Sequence, residues 1–472
     1  MSEEYMYTQG DILIEPYKFQ KITQLKVTRE LNEHARLYIS GIIDEENVDK
    51  YVETADVESS ISISLKDDKN SVTNVFQGVV TNIQINANKD VRTLEIEALS
   101  RTFLMDIKKK SRTFQNKNFS YGDILNSVNR GYTNIQRLDN ITNGTKIDKL
   151  IVQYKETDWQ FIKRLASHFN VPVVSECQLE DTKYSIGNSG RSTKYELDEF
   201  NYSIKKGLQE YKLKSENNVD DLDDINLISY EVITNKIMYL NNSVNFKGRN
   251  LYIYKSEMEI VNGGISNKYI LRDEKGTKVR KQYNNKIVGI SLKGNILDTK
   301  NDVVKINLEI DGRQNKGEAR WFPYSTVYSS PDGTGWYCMP EVGDAIRLYF
   351  PDNEEKNAYA ISSTNLKSGN SEKRSDPAVK SIGTKYGKEV VMKPGAVEII
   401  GNGNLLMRLT DDGGIEIKSN KKIVLDAKED IEINGGGKVS IQGSEGVDLT
   451  QASAKINIKD NVTMSGGKVN IE

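Results

Sequence analysis

Apolar residues recur every eight positions along the C-terminal part of the chain. From Gly414 the sequence reads GIEIKSNK KIVLDAKE DIEINGGG KVSIQGSE GVDLTQAS, with an apolar residue at the second and fourth position of each octad. Side chains two positions apart lie on the same face of a strand, and the other positions carry polar residues and glycines that are typical of turns. The pattern therefore predicts a short strand and a turn in every octad.

Two apolar series carry this period. They are Ile399, Met407, Ile415, Ile423, Ile431, Val439 and Val447, and then Leu409, Ile417, Leu425, Ile433, Ile441 and Leu449. Two aliphatic side chains bury too little surface to offset the entropy lost when an octad is ordered, so each octad has to stack on neighbours. One chain would complete only about three or four triangular layers, whereas three chains would build about ten. We therefore expect a trimeric β-helix in residues 385–472, with a single-chain β-helix or an ordinary sheet as the alternative.

Alternation of apolar and polar residues predicts strands in the rest of the chain. The clearest stretches are 35–43, 60–66, 75–80, 91–98, 231–240, 249–261, 303–310 and 345–350. We expect a hub β-barrel in residues 1–105, a second hub β-barrel in 195–284 and an oligonucleotide/oligosaccharide-binding (OB) fold in 285–365. A polar connector at 366–384 then leads to the octads.

Residues 106–194 carry the signals of two capped helices. Ser120 stands three residues before Asp123, and Thr157 stands three residues before Gln160, which is the spacing of a capping box. In the second helix an apolar face is formed by Trp159, Ile162, Leu165, Ala166 and Phe169, and Lys163 and Arg164 point away from it. The predicted fold class is therefore mainly β, with a small α/β insertion in the hub.

Composition limits the functional classes. The 472 residues carry a formal net charge of -2, so no global basic field indicates nucleic acid or an anionic membrane. No apolar run approaches a membrane span, and the N-terminus MSEEYMYTQG lacks the features of a signal peptide. We expect synthesis in the cytoplasm, and export by a route other than a general signal peptide.

Motifs for catalysis, cofactors or metals are weak. His34 and His168 are the two histidines, Cys177 and Cys338 are the two cysteines, and none has the neighbours that a zinc or nucleophile site needs. We predict no catalytic, cofactor-binding or metal-binding residue, and structural roles for both histidines. A paired-carboxylate glycosidase stays open, because two acids can converge in space.

Three further stretches resemble binding motifs only loosely. GNGNLL (401–406) lacks the third glycine of a dinucleotide loop, and DDLDD (220–224) lacks the alternation and glycine of a calcium loop. The lysine run at 108–110, together with Arg112, could contact a partner, but a solvated face is favoured. None of these stretches therefore predicts a site.

Taken together, these segments resemble the hub-spike proteins of contractile injection machines: the VgrG spike of type VI secretion and the fused hub and spike of contractile phage tails. The resemblance covers essentially the whole chain and rests on QYKETDWQFIKRLASHFNVPV (153–173), WYCMPEVGDAIRLYFPDN (336–353), KEVVMKPGAVEIIGNG (388–403) and the octads. AYAISS (358–363) departs from the family, because it lacks the usual apolar-x-Gly ending. No lysozyme-like insertion and no effector domain are recognised.

The resemblance implies a structural role without enzymatic activity. It implies a homotrimer that caps the inner tube of the machine and pierces the target envelope. The implied partners are an Hcp-like tube protein at the N-terminal hub, a PAAR-like tip protein at the C-terminal end and other baseplate proteins, but no nucleic acid. Such a protein is assembled in the cytoplasm and delivered, as part of the particle, outside the cell or into the target cell.

Two other functions are kept as alternatives: a spike-borne peptidoglycan hydrolase and a carbohydrate-binding tail fibre. A carbohydrate-binding flank would need an aromatic ladder, and the octads from 414 to 453 contain no Phe, Tyr or Trp. The sequence fits a phage tail, a bacteriocin, a type VI secretion system and an extracellular injection system equally, and it names neither payload nor target cell.

Overall fold

Strands make up most of the regular structure in this computed structural model, which describes residues 5–188, 193–365, 372–402 and 405–458. The mainly β class predicted from the sequence is confirmed. The chain divides into two compact units, Met1–Leu366 and Lys367–Glu472. In the described part of the chain, no helix combines the length and apolar character that crossing a membrane requires.

The first unit begins with six strands in one antiparallel arrangement. The elements are β1 (Ile12–Glu15), β2 (Lys21–Glu30), β3 (Arg36–Ile43), α1 (Val48–Glu53), β4 (Ser60–Lys66), β5 (Val72–Asn88) and β6 (Val91–Ser100). The strands pair in the order β1-β4-β5-β6-β3-β2. Alternate side chains such as Ile39, Ile63, Phe76 and Ile96 are fully buried, as the period of two predicts.

A helical region follows. Its elements are β7 (Lys109–Phe114), α2 (Tyr121–Asn129), β8 (Gln136–Asp139), β9 (Ile151–Thr157), α3 (Asp158–Ser167), β10 (Val173–Glu176) and β11 (Lys183–Ile186). Both predicted capping boxes are present: the Ser120 hydroxyl accepts the Asp123 N–H at 3.1 Å, and the Thr157 hydroxyl accepts the Gln160 N–H at 3.2 Å. Trp159 of α3 is fully buried in the core of this region.

Six more strands extend the first sheet. The elements are β12 (Lys194–Leu197), β13 (Tyr202–Lys206), α4 (Leu208–Ser215), β14 (Ile228–Thr234), β15 (Ser243–Phe246), β16 (Arg249–Val261) and β17 (Gly264–Arg272). β16 pairs antiparallel with β2, with Lys255 opposite Glu30, and the sheet continues in the order β16-β17-β14-β13. The two hub regions predicted from the sequence therefore share one twelve-stranded sheet, and the boundary between them stays a prediction.

The first unit ends in a separate five-stranded antiparallel sheet. Its strands are β18 (Ser291–Lys300), β19 (Val303–Leu308), β20 (Trp321–Pro323), β21 (Ala345–Tyr349) and β22 (Tyr359–Ile361), in the order β20-β19-β18-β21-β22. Its core includes Ile306, Leu348 and Phe350 and extends to Leu150 and Val152 at β9 of the helical region. Five strands suit the predicted OB fold, which stays a prediction.

The second unit contains the strands β23 (Lys380–Gly383), β24 (Lys388–Lys393), β25 (Ala396–Gly401), β26 (Leu405–Thr410), β27 (Gly414–Lys418), β28 (Val447–Gln451) and β29 (Ala454–Ile458). β23 to β27 pair antiparallel in chain order, and β28 pairs with β29. The predicted trimeric β-helix stays a prediction. Its residues 459–472, and residues 366–371 of the connector, lie outside the described residues.

A close approach in the hub sheet gives a test of this packing. Gly78 of β5 lies opposite Ser100 of β6, and a Cβ there would overlap the backbone carbonyl of Leu99. We expect Gly78→Ala to lower the free energy of unfolding by about 1–3 kcal/mol, measured by urea denaturation, because the backbone has to shift. The control Gly10→Ala, with its nearest atom 3.8 Å away, should change it by less than about 0.5 kcal/mol. Equal stability of the two variants would contradict this packing.

Candidate functional site

One face of the sheet formed by β24 to β27 carries aliphatic side chains that remain exposed. Strand pairing aligns them in two rows, Val390–Ile399–Met407–Ile417 and Met392–Val397–Leu409–Ile415. We call these eight residues the apolar face. Their exposed fraction runs from 37% at Met407 to 70% at Ile415. Contiguous exposed apolar surface of this kind marks a site of interaction.

The opposite face of the same sheet carries an internally paired row of charges, together with the apolar Val391, Ile400 and Leu406. Glu398, Arg408 and Glu416 lie opposite one another on β25, β26 and β27. The carboxylate of Glu398 accepts hydrogen bonds from Lys393 at 2.7 Å and from Arg408 at 2.9 Å, and these bonds hold its pKa below the ordinary value. Because the charges on this face satisfy one another, the unpartnered side of the sheet is the apolar one.

The octad pattern continues beyond the sheet without strand pairing. No strand is formed in residues 419–446, all of which are described, although the predicted strands of three octads fall there. The aliphatic side chains in this stretch are 50–72% exposed; they include Ile423, Leu425, Ile431, Ile433, Val439 and Ile441. Within the described residues, no neighbouring strand pairs with this stretch. Its exposed aliphatic side chains make it, like the apolar face, a candidate surface for association.

A buried arginine connects the helical region to the five-stranded sheet. The sequence pattern places Arg164 off the apolar face of α3, and the structure shows that this side is covered too, with Arg164 only 2% exposed. Its guanidinium donates to the Glu156 carboxylate at 2.9 and 3.0 Å and to Glu355, which precedes β22, at 2.8 Å. Burial lowers the pKa of Arg164, but the two carboxylates outweigh it and raise that pKa.

A second buried charge corrects part of the prediction of a solvated basic face at 108–110 and Arg112: Lys108 and Lys109 are exposed, but Lys110 and Arg112 are paired. Asp158 is fully buried, and its carboxylate accepts from Lys110 at 2.5 Å, Arg112 at 2.6 Å and Tyr132 at 2.7 Å. Burial raises the pKa of Asp158, but these hydrogen bonds outweigh it and keep that pKa low. The prediction failed for Lys110 and Arg112 because β7 pairs with β9, which brings these two cations to a carboxylate far along the sequence.

His34 takes part in a hydrogen-bonded chain that the sequence did not reveal. Its Nδ1 lies 2.8 Å from the Thr102 hydroxyl, and its Nε2 lies 3.3 Å from the Asp106 carboxylate. The order hydroxyl, imidazole, carboxylate is that of a nucleophilic hydrolase. Thr102 is only 1% exposed, so a substrate cannot reach its hydroxyl. The role of these hydrogen bonds is therefore to orient His34 against the ring of Trp159.

The other residues considered for chemistry are dispersed. His168 is half-buried, its ring lies 2.9 Å from the Tyr121 hydroxyl, and desolvation lowers its pKa to about 2, so it is neutral. Cys177 is buried and Cys338 is exposed. The acids of 220–224 lie in an exposed loop around the buried Leu222. Within the described ranges, no cluster of three or more His, Cys, Asp or Glu side chains is arranged to hold a metal ion.

Comparisons with known proteins show the fold. Residues 28–171 match the family model of the phage tail baseplate hub (GPD). The chain is similar to the E. coli c3393 protein, described as a type VI secretion component with structural similarity to the T4 bacteriophage tail proteins gp27 and gp5 (TM-score 0.53, 12% identity, 74% of this chain and 98% of that chain).

The chain is also similar to a chain in two structures of the Francisella PdpA–VgrG complex. In the lidded form the TM-score is 0.57 at 12% identity, over 88% of this chain and 80% of that chain; in the lidless form it is 0.54 at 13% identity, over 84% and 94%. No curated protein matches the sequence. The VgrG-like hub-spike resemblance predicted from the sequence is therefore confirmed at the level of fold.

Arg164, Glu156 and Glu355 form a buried group that we call the Arg164 cluster. Removal of one of its carboxylates should strongly lower the stability of the protein. We expect Glu355→Ala to lower the free energy of unfolding by about 2–3 kcal/mol, since it leaves Arg164 buried with Glu156 as its remaining carboxylate partner. Glu354→Ala is the matched control, because Glu354 pairs with Lys281 and Lys356 near the surface and should cost less than about 1 kcal/mol. Urea denaturation measures both, and a smaller loss for Glu355→Ala than for the control would contradict the role given to the cluster.

The low pKa of Asp158 predicts a dependence of stability on pH. The stabilisation it gives is complete above the unfolded pKa of 3.8 and is lost as the pH falls through the lower folded pKa. We expect the free energy of unfolding of the parent protein to fall more steeply below about pH 4 than that of Asp158→Asn. Asp220→Asn, in an exposed loop, should keep the parent slope. Identical slopes in the parent and Asp158→Asn would show that the carboxylate is not held ionised.

Proposed function

We propose that this chain is the structural hub-spike of a contractile injection machine and that it acts as a homotrimer. Residues 1–284 form the hub at the end of the inner tube, and residues 385–472 form the spike that pierces the target envelope. The observation that carries the proposal is the apolar face together with the unpaired octads of 419–446. The match to a baseplate hub family and the VgrG-like fold support the same assignment.

Further copies of the same chain are the partners that fit the apolar face best. An identical chain has the same eight-residue period, so its aliphatic rows stay in register with this face along the whole tail. Each octad of one copy then finds a neighbouring strand in another copy, which supplies the missing backbone partners. Three copies enclose one apolar column and leave no open lateral edge, with the Glu398–Arg408–Glu416 row on the outside.

The mechanism is mechanical and needs no covalent chemistry. Axial thrust is carried by strands whose hydrogen bonds and packed aliphatic column both resist bending. In the first unit, the Arg164 cluster joins the helical region to the five-stranded sheet and so keeps that unit rigid. We assign a structural role, and neither the peptidoglycan hydrolase nor the carbohydrate-binding fibre has an observation in its favour.

The partners and the domain layout belong to this proposal. The hub comprises a β-barrel at 1–105, the α/β region at 106–194 and a second β-barrel at 195–284, and it meets an Hcp-like tube protein and other baseplate proteins. An OB fold at 285–365 and the connector lead to the spike, whose far end receives a PAAR-like tip protein. The trimer assembles in the cytoplasm and leaves it as part of the particle.

Oligomeric state tests the proposal. Sedimentation equilibrium of the full chain at micromolar concentration should give three times the chain mass of 53.3 kDa. Ile399→Asp combined with Met407→Asp should give monomers, because two carboxylates would have to be buried in the apolar column. The control, Lys421→Asp combined with Lys422→Asp, changes polar octad positions by the same residue type and should remain trimeric. A parent protein that is folded but monomeric or dimeric overturns the proposal.

A further inference from the structure

Five cationic side chains surround a depression of about 350 Å³ between the helical region and the five-stranded sheet. The cations are Lys117, Lys149, Lys305, Arg320 and Lys356. Two carboxylates, Asp148 and Glu355, also line it. We call this depression the basic pocket.

Five cations and two carboxylates line the pocket, so the charge of its lining is net positive. Glu355 accepts a hydrogen bond from the buried Arg164 at 2.8 Å and also lies 3.9 Å from the Lys149 ammonium. Asp148 is exposed to solvent, where its charge is screened. Among the described residues, the Lys117 ammonium has no hydrogen-bond or ion-pair partner. The Lys305 ammonium donates to the Lys316 carbonyl at 2.8 Å, and the Lys356 ammonium lies 3.4 Å from Glu354. The cations still outnumber the carboxylates around them, which favours an anion in the pocket.

Arg320 and Trp321 define what kind of anion the pocket suits. The guanidinium of Arg320 donates to the backbone carbonyls of Ile147 at 2.6 Å and Asp148 at 2.8 Å. Both of its terminal nitrogens therefore already have an acceptor. Its buried Nε has no partner among the described residues. Trp321 is 39% exposed, and the Lys305 ammonium lies 4.9 Å from the centre of its ring.

We propose that the basic pocket binds an acidic segment of a partner protein, with carboxylates on its lysines and an aliphatic side-chain stem against Trp321. A phosphate site usually has a free arginine fork or a group of backbone N–H donors. Here the two terminal NH₂ groups of Arg320 already donate to carbonyls, and the other cations are lysines. A lysine ammonium acts as a point charge and can donate to a carboxylate in many orientations. Lysines that come from two parts of the fold also suit a chain of carboxylates better than a single compact anion.

Binding of an oligoglutamate peptide tests the assignment. Isothermal titration of the full chain at low ionic strength should show binding that weakens as salt is added, and no binding of an oligoglutamine peptide. Lys117→Glu combined with Lys356→Glu should weaken oligoglutamate binding about tenfold or more, because both positions would repel the peptide. Lys117 is exposed and Lys356, 61% exposed, lies 3.4 Å from Glu354 at the surface, so the fold should survive both changes, as urea denaturation would verify.

The matched control is Lys293→Glu combined with Lys300→Glu, which makes the same change of charge at exposed positions of β18 outside the pocket. Parent-like binding by this control supports the pocket, whereas an equal loss shows a general charge effect and overturns it. No binding of oligoglutamate by the parent, or binding of inorganic phosphate without oligoglutamate, also overturns the assignment. The outcome is separate from the oligomeric state, because the pocket lies wholly within the first unit of one chain.

Discussion

The assembly we propose depends on one constraint: in the described residues, the octads leave their aliphatic side chains exposed and, between Lys418 and Val447, form no strand. Strands β24 to β27 pair with one another, but the apolar face they form stays exposed. Between Lys418 and Val447 no strand is formed, although the octad period continues through this stretch. Aliphatic side chains exposed to water are stabilised when another chain covers them, so the proposed trimer would stabilise the second unit by association.

The first unit, by contrast, supplies the partners for its own apolar side chains and buried charges. Its sheets bury alternate aliphatic residues, and its regions are joined by charges that lie far apart in sequence, such as Arg164 and Glu355. A buried ion pair contributes little net stability compared with apolar packing, but it penalises any arrangement that separates its partners. Asp158 with Lys110 and Arg112 acts in the same way within the helical region. Rigidity of the unit therefore comes from specific pairing as well as from burial.

Local features of this fold could be predicted from the sequence, and long-range ones could not. β4 and β16 occupy the predicted stretches 60–66 and 249–261, and α2 and α3 begin at the predicted caps. These features could be predicted because alternation and capping depend on residues close together in sequence. The pairing of β2 with β16 and the burial of Arg164 depend on contacts across more than a hundred residues, for which alternation and helical periodicity carry no signal. The Thr102–His34–Asp106 hydrogen bonds were missed as well, because His34 is 68 and 72 residues away from its two partners.

The even length of the repeat explains why the tail can be long and still keep one apolar side. Side chains alternate between the faces of a strand, so an even number of residues returns each position to the same face. The paired positions Ile399, Met407 and Ile417 are separated by eight and ten residues, and they all lie on the apolar face. A slip of one residue would turn Glu398 and Arg408 inward and the aliphatic rows outward. The charged row therefore selects the register, and in the proposed trimer burial of the apolar face drives association.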